Sequence, residues 1–323
     1  MAGAASLATK DLRDIRIVTL NLWGTQAPVD ARLALAVEQL RALSPDVICL
    51  QEVKGYQGGT TASWIARQLA MTPVVAVTHP PVLGAPPALT PQPRNEAFAA
   101  VEDEGLAILT RWPIVSTQFA PLPHSRPTEG RGLLSIALQL PTAHASPELT
   151  APIWVHTTHL HYRLDDGIAR EAQVQFLDTW IRQRGRQNDS APQVLCGDFN
   201  ATPDSDEMRF LRGLTTLPRD GSGVRTHFQD AWLRLHREPH SSDGPAAGIT
   251  WSSENELTRP LRSLDIDRRI DYIYVTSRKR DGRATVRQCQ VVLTDAVPSD
   301  EHGQICASDH FGVLADVQVV PNA

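Results

Sequence analysis

Gln193-Val194-Leu195-Cys196-Gly197-Asp198-Phe199-Asn200 decides the fold: a short apolar strand enters a glycine turn, with a carboxylate and an amide at the strand's exit. Just upstream, Leu164, Ile168, Ala172, Phe176, Leu177, Trp180 and Ile181 recur at helical spacing, which predicts a helix over 164–184. Before that helix, Ile153 to His159 is a strand candidate. After the quoted stretch, Thr202-Pro203-Asp204 provides helix start signals, and a helix is expected from about Ser205 to Leu214. The opening of the chain repeats the alternation. Ile15 to Leu20 is a β-branched run, Val29 to Leu43 a helix, Asp46 to Gln51 a buried strand, and Thr60 to Ala70 a second helix. Further strands are expected at 106–109, 114–119, 133–140, 270–275, 286–293 and 311–319. No internal repeat is evident. This order reads as one α/β domain of two packed sheets with helices outside.

The domain is expected over 15–320, after an N-terminal tail of residues 1–14 and with a Pro-rich insertion at 78–103. Six prolines (80, 81, 86, 87, 91 and 93) exclude helix and central strand from that insertion. With 323 residues, 41% hydrophobic and 21% charged, the chain can bury a core without disulfides or a structural metal. Cys49, Cys196, Cys289 and Cys306 are widely spaced and form no C-x-x-C pair, so buried free thiols in a reducing compartment are expected. Neither a signal peptide nor a transmembrane run is visible, which reads as a cytoplasmic protein. A net charge of −5 argues against a broad nucleic-acid clamp. Nothing in the sequence specifies an oligomeric state.

Polar residues recur at the ends of the apolar runs: Asn21, Glu52, His159, Asp198 with Asn200, Asp271, and Asp309 with His310. Strand ends are where one rim can collect them. A Glu and several Asp at such a rim supply hard oxygen ligands, which suit Mg²⁺ or Mn²⁺, while no Cys or His cluster has zinc-ligand spacing. Metal chemistry with oxygen donors points to phosphate. Histidines on two strands could stabilise phosphoryl oxygens or protonate a leaving group, and Asp198 could orient or deprotonate water. Taken singly, each of these is a turn residue or a cap. The ordered set carries the argument.

That set is Asn21 in Leu20-Asn21-Leu22-Trp23, Glu52 in Leu50-Gln51-Glu52-Val53, His159 in Thr158-His159-Leu160, Gly197-Asp198-Phe199-Asn200, Ile270-Asp271-Tyr272 and Ser308-Asp309-His310. It resembles the endonuclease/exonuclease/phosphatase superfamily, which includes pancreatic deoxyribonuclease, neutral sphingomyelinases and inositol polyphosphate 5-phosphatases. The resemblance runs from Ile15 to Val319. It implies a four-layer α/β sandwich of two mixed sheets and a Mg²⁺-dependent hydrolysis of phosphate esters by activated water. By the same resemblance Glu52 is the principal metal ligand, with Asn21 and Asp309 sharing the metal site. Asp198 positions or activates water, and Asn200 contacts the phosphoryl group. His310, oriented by Asp271, binds phosphate or serves as base, and His159 stabilises or protonates the leaving group. Glu104 is the candidate acid behind His159, although the run Glu102-Asp103-Glu104 reads equally as solvated charge. Arg131 could point a guanidinium at phosphate or be a turn arginine.

His156 and His161 flank His159, but on a strand 156 falls on the opposite face, so the three do not converge. Trp23 and Trp251 read as packing. Arg268-Arg269 and Arg278-Lys279-Arg280 read as solvated strand ends. The leading expectation is a Mg²⁺-dependent phosphodiesterase. A nuclease acting on DNA or RNA, a sphingomyelinase-like lipid hydrolase and an inositol-phosphate hydrolase are the substrate alternatives, and a catalytically silent binding module is the alternative of another class.

Overall fold

Alternation of side chains sorts the chain into layers. The computed structural model describes residues 10–78, 104–124, 130–140, 151–187, 191–217, 226–236, 247–261 and 266–322. The first nine residues of the expected tail and residues 79–103 of the expected insertion lie outside these. One six-stranded sheet runs β11-β12-β1-β2-β4-β3, where β1 is Asp14–Asn21, β2 Val47–Val53, β3 Thr72–Val77, β4 Gly105–Thr110, β11 Val286–Val292 and β12 Gly312–Gln318. The other runs β9-β10-β8-β7-β6-β5, with β5 Ile114–Pro121, β6 Gly132–Leu138, β7 Ile153–His159, β8 Gln193–Asp198, β9 Gln229–Asp230 and β10 Asp271–Val275. Both sheets are mixed: β1 pairs parallel with β2 and β7 with β8, and the remaining pairings are antiparallel.

Odd positions of β1 and β2, such as Ile15, Ile17, Val47 and Cys49, pack between the sheets against Val155, Val194, Cys196 and Ile273. Even positions, Val18, Leu20, Ile48 and Leu50, face α1 (Val29–Leu43) and α2 (Thr61–Leu69). On the far side Leu195, Tyr272 and Tyr274 form a third cluster with Leu177 and Ile181 of α3 (Gly167–Gln187) and Met208 and Phe210 of α4 (Asp206–Leu211). The order is helix, sheet, sheet, helix, and the period of two in a strand places each layer's side chains. A short helix α5 (Ala231–Leu235), capped by Asp230 Oδ1 accepting from Trp232 N and Leu233 N, follows β9.

Each parallel pair is crossed by a helix, and each pair's exits lie in register at one end of the sandwich. Asn21 is opposite Gln51 on β2, and Asp198 is opposite both His159 on β7 and Asp271 on β10. Two expectations need correction. The helix predicted over 164–184 spans Gly167–Gln187, because Asp166 Oδ1 accepts from Ala169 N and caps it there. Leu164 and Ile168, read as its core face, are 64% and 76% exposed. The helix expected to Leu214 ends at Leu211, and Gly213, at φ +76°, breaks it. Among the described residues no helix is long and apolar enough to cross a membrane.

Candidate active site

Parity carries four side chains to one mouth. Asn21, His159, Asp198 and Asp271 all continue the inter-sheet face of their strands, and all are buried. Glu52 has the wrong parity. The β2–β4 register slips between Leu50 and Val53, and Glu52 adopts φ +52°, which turns its carboxylate to Asn21. Asn21 Nδ2 donates to Glu52 Oε1 at 3.0 Å and to Asp198 Oδ2 at 3.1 Å, so one amide bridges carboxylates from both sheets. Just beneath, Gln51 Nε2 donates to Thr157 Oγ1 at 2.9 Å and ties the sheets together.

Asp198 sits at the centre. His159 Nε2 lies 3.4 Å and His310 Nε2 3.9 Å from its Oδ2, and its Oδ1 accepts from Asn200 N at 2.9 Å. The preceding Gly197, at φ +144°, passes so close to β7 that a Cβ would lie 2.0 Å from Thr158 O. No other residue fits there. Asn200 adopts φ +49°, and its Nδ2 donates to Leu160 O at 3.2 Å. His310 Nδ1 bonds Asp271 Oδ2 at 2.8 Å, which leaves Nε2 toward Asp198. Asp309 precedes it, and Ser308 Oγ donates to Asn21 O at 2.6 Å, fastening this segment to β1.

Charge is unevenly matched here. Among the described residues, the ion pairs of Asp198 and Asp271 are with histidine alone. Burial pushes the Asp271 carboxyl up, opposed by His310 and reinforced by Asp198. Burial also raises Asp309 to about 6, with His310 opposing and Glu52 adding to the rise. For His310 burial acts downward, but Asp271, Asp309 and Asp198 outweigh it and hold the imidazole well above its ordinary value. At the mouth the carboxylates Glu52, Asp198, Asp271 and Asp309 outnumber the histidines His159 and His310, an excess of oxygen donors suited to a hard divalent cation. Asp198, Asp271 and His310 bring ligand atoms within 4.8 Å of one another.

The Glu104 side is paired differently. Its Oε1 is 3.4 Å from His159 Nδ1 and 3.3 Å from Arg131 Nη1, and its Oε2 is 3.8 Å from Lys54 Nζ. Burial pushes this carboxyl up, but His159, Arg131 and Lys54 bring it down to about 2. Glu104 is therefore a partnered rim carboxylate and not solvated charge. Arg131 pairs with it and lies 6.0 Å over the Tyr162 ring.

The remaining candidates belong to the scaffold. His156 is buried on the opposite face of β7, bonded to Ser135 Oγ at 2.7 Å and Gln193 Oε1 at 3.1 Å. His161 lies past the strand with Nε2 3.3 Å from Asp166. Trp251 and Arg268 stack at 5.0 Å, and Arg269 is paired with Asp230 at 2.9 Å, so this half of the basic cluster is committed to packing. Sequence reasoning misses Lys54 and Arg32, and it gives Thr250, which precedes Trp251 upstream of Ile270-Asp271, no role of its own. Thr250 Oγ1 accepts from Ile270 N and Asp271 N at 3.2 and 3.1 Å. Arg32 is fully buried, donating to Leu22 O at 2.9 Å, Ala307 O at 3.1 Å and Gln26 O at 2.8 Å. It joins the loop after Asn21 to the segment before Asp309, and burial lowers its guanidinium to about 10. Within α1 it reads as an ordinary polar-face residue. Thr250 and Lys54 adjoin Trp251 and the stretch Gln51-Glu52-Val53, and that adjacency is the one signal that points to them.

The two-sheet sandwich gathers oxygen donors and two histidines at one mouth, groups that can hold a divalent cation and move protons. The pattern of the Endonuclease/Exonuclease/phosphatase family matches residues 18–310, and the chain belongs to that family, whose members hydrolyse phosphate esters and generally depend on divalent metals. It is 32% identical over 111 residues to mouse sphingomyelin phosphodiesterase 5, covering 32% of this chain and 22% of that protein. To the zebrafish (Danio rerio) protein of the same name it is 27% identical over 179 residues, covering 53% of this chain and 31% of that one. The matches therefore span under a third of those relatives' length. Among solved structures, the human Nocturnin catalytic domain with bound sulfate superposes with a TM-score of 0.62 at 19% identity, covering 95% of this chain and 94% of that one. That likeness shows the fold.

Proposed function

We propose that the protein is a Mg²⁺-dependent phosphodiesterase, with Mn²⁺ as a substitute ion. The observation that carries this is the mouth where Asn21, Glu52, Asp198, Asp271 and Asp309 converge, with histidine as the ion-pair partner of Asp198 and Asp271 among the described residues. Glu52, with Asn21 and Asp309, would hold the divalent ion. When bound, the ion supplies Lewis-acid polarisation of a phosphoryl oxygen.

The chain's own groups supply the rest. Asp198, steadied by the Asn200 backbone amide, orients the attacking water and takes its proton. His310, held by Asp271, directs Nε2 at the phosphoryl oxygens, and Asn200 adds a neutral donor. His159, backed by the ionised Glu104, gives a proton to the departing alcohol oxygen. The bond from phosphorus to that oxygen breaks as water's oxygen bonds phosphorus, leaving a phosphomonoester and an alcohol. The buried, unpaired thiols of all four cysteines support a reducing compartment such as the cytoplasm.

For the substrate we favour a lipid phosphodiester of the sphingomyelin type, on the names of the two curated relatives. A nucleic-acid substrate draws little support from the net charge of −5. The test is turnover of bis-p-nitrophenyl phosphate, sphingomyelin, DNA, RNA and inositol polyphosphates with Mg²⁺ or chelator, by the wild type, Glu52→Gln and His310→Ala. Chelator-sensitive turnover of a diester that both substitutions abolish is expected. Metal-independent turnover, or turnover insensitive to both substitutions, would overturn the proposal.

A further inference from the structure

Two of the apolar residues that helical spacing assigns to the core of α3, Leu164 and Ile168, are instead exposed just before the helix and in its first turn. Tyr162, Leu164 and Ile168 are 52%, 64% and 76% exposed, three large apolar side chains within seven residues of the loop that leaves His159. The other large exposed apolar residues among those described, such as Leu12, Val115 and Val297, are scattered along the chain. Single exposed apolar residues are ordinary, whereas three within seven residues, the first of them under Arg131 at the edge of the site, point to a contact.

The loop is built to hold its shape while it exposes them. Leu160 N donates to Asp198 O at 2.9 Å and His161 N to Gln173 Oε1 at 3.0 Å. Buried Arg170, paired with Glu207 at 2.7 Å, donates to the carbonyls of His161 and Arg163. A rigid backbone loses little conformational freedom when its side chains are buried by a partner. A chain of contacts also links the loop to His159. His159 meets Glu104, Glu104 meets Arg131 and Arg131 lies over Tyr162, while Leu164 on the loop and Ile168 in the first turn of α3 follow in the chain, with Arg163, Asp165 and Asp166 interleaved. Charged groups, an amphipathic ring and exposed apolar side chains close together in the chain are a set that suits a phospholipid, with its phosphodiester and its acyl chains.

We propose, resting on the lipid-diester reading above, that Tyr162, Leu164 and Ile168 insert into a zwitterionic lipid surface and set the catalytic mouth against it. Charge selects the zwitterionic case. Arg163 is paired with Asp165 at 3.3 Å and the whole chain is acidic, so the loop offers no basic cluster for an anionic membrane.

The test is sedimentation with vesicles of phosphatidylcholine and sphingomyelin, with and without phosphatidylserine, using the full chain in a Glu52→Gln background so that the lipid stays intact. Leu164→Ser/Ile168→Ser should lower the vesicle partition coefficient roughly tenfold or more, and phosphatidylserine should add little. In the active background the same pair should leave hydrolysis of bis-p-nitrophenyl phosphate and the Tm unchanged. Leu164→Trp should bind at least as well and show a blue-shifted emission on vesicles. Equal binding by the parent and the double variant would overturn the proposal. So would parallel loss of soluble-diester turnover, or a fall in Tm, either of which assigns the side chains to internal packing. Capture by a protein partner with no vesicle binding would overturn it as well. Vesicle binding through the loop without turnover of any lipid diester would sink the substrate reading alone. Turnover of a monomeric short-chain sphingomyelin with no vesicle binding would sink the loop alone.

Discussion

The two ends of β1 handle buried charge in opposite ways. At the end away from the site, Arg16 makes a two-pronged bond to Asp316 at 2.8 and 2.7 Å, and Asp46 takes Lys10 Nζ at 2.6 Å and Arg16 N at 2.7 Å. Each of those carboxylates has its own cation. At the strand's other end, Asn21 bridges Glu52 and Asp198 with an amide, which satisfies oxygens without neutralising them. The far end is closed in that Asp46 and Asp316 have their own cations, and the site end keeps an excess of carboxylates over cations. Burying carboxylates that outnumber their cations is costly, so such a cluster points to function more than stability.

The comparison breaks most visibly at Glu52. Glu52→Gln keeps the shape and removes one negative charge, and should lower Mg²⁺-stimulated turnover roughly 10³-fold or more, the scale of losing metal-ion catalysis. Titration of Mn²⁺ against Tm should raise the melting point of the wild type and leave the variant nearly unmoved. Equal stabilisation of both proteins would mean that the donors at this mouth do not hold the ion. Asp271→Asn is the next step down. It leaves His310 in place without its buried anion, and turnover should fall roughly 10²–10³-fold, within the range of a lost acid–base or orienting group. Metal-induced stabilisation should survive. A loss of metal response here would join Asp271 to the ion's own ligands, as its closeness to Asp198 permits.

At the closed end the same kind of change should act on stability and not on rate. Arg16→Met strands Asp316, which is buried at 2% exposure. Breaking a buried pair from one side costs about 3–5 kcal/mol, read as a lower denaturant midpoint. Turnover per folded molecule should be unchanged, because Arg16 contacts Leu43 O, Asp46 and Asp316, all at the end away from the mouth. A variant that folds but turns over slowly would show that the two ends are not independent.

The contrast explains which parts of the site are legible in the sequence. Strand ends bearing polar residues are visible because a period of two holds whatever the tertiary context, so the sequence alone groups Asn21, His159, Asp198 and Asp271 at one rim. Glu52 falls off that pattern and needs a bulge, which only pairing with β4 creates. Thr72–Val77 escapes a sequence-based strand assignment because Pro73 and a sheet-edge position leave it a weak signal. Arg32 sits at a polar-looking position in α1, and its burial follows from two loops folding over it. Leu164 and Ile168 mislead for the opposite reason. Their spacing is helical, but Asp166 caps the helix between them, and periodicity cannot report where a cap stops it.

The smallest effect sharpens the comparison most, because it tests a carboxylate at the closed end whose burial is not offset by a paired cation. Asp14 is 2% exposed with no hydrogen-bond partner for Oδ1 among the described residues, and burial, followed by repulsion from Asp11, raises its carboxyl to about 6. Arg287 and Arg13 pull in the other direction and do not cancel the rise, and Asp316 adds to it. The fold accepts this group in its protonated form. The stability it contributes is therefore complete below the unfolded-state pKa of about 3.9 and is lost as pH rises through about 6. Asp14→Asn holds the neutral form at every pH. It should stabilise the protein by about 1–2 kcal/mol at neutral pH and remove that part of the slope of stability between acid and neutral pH, with no change in turnover. Chemical denaturation at several pH values measures both terms. If the variant is no more stable than the wild type at neutral pH, Asp14 is charged without cost. The end of β1 opposite the site would then carry no costly charge, and the excess of carboxylates over cations would be confined to the mouth.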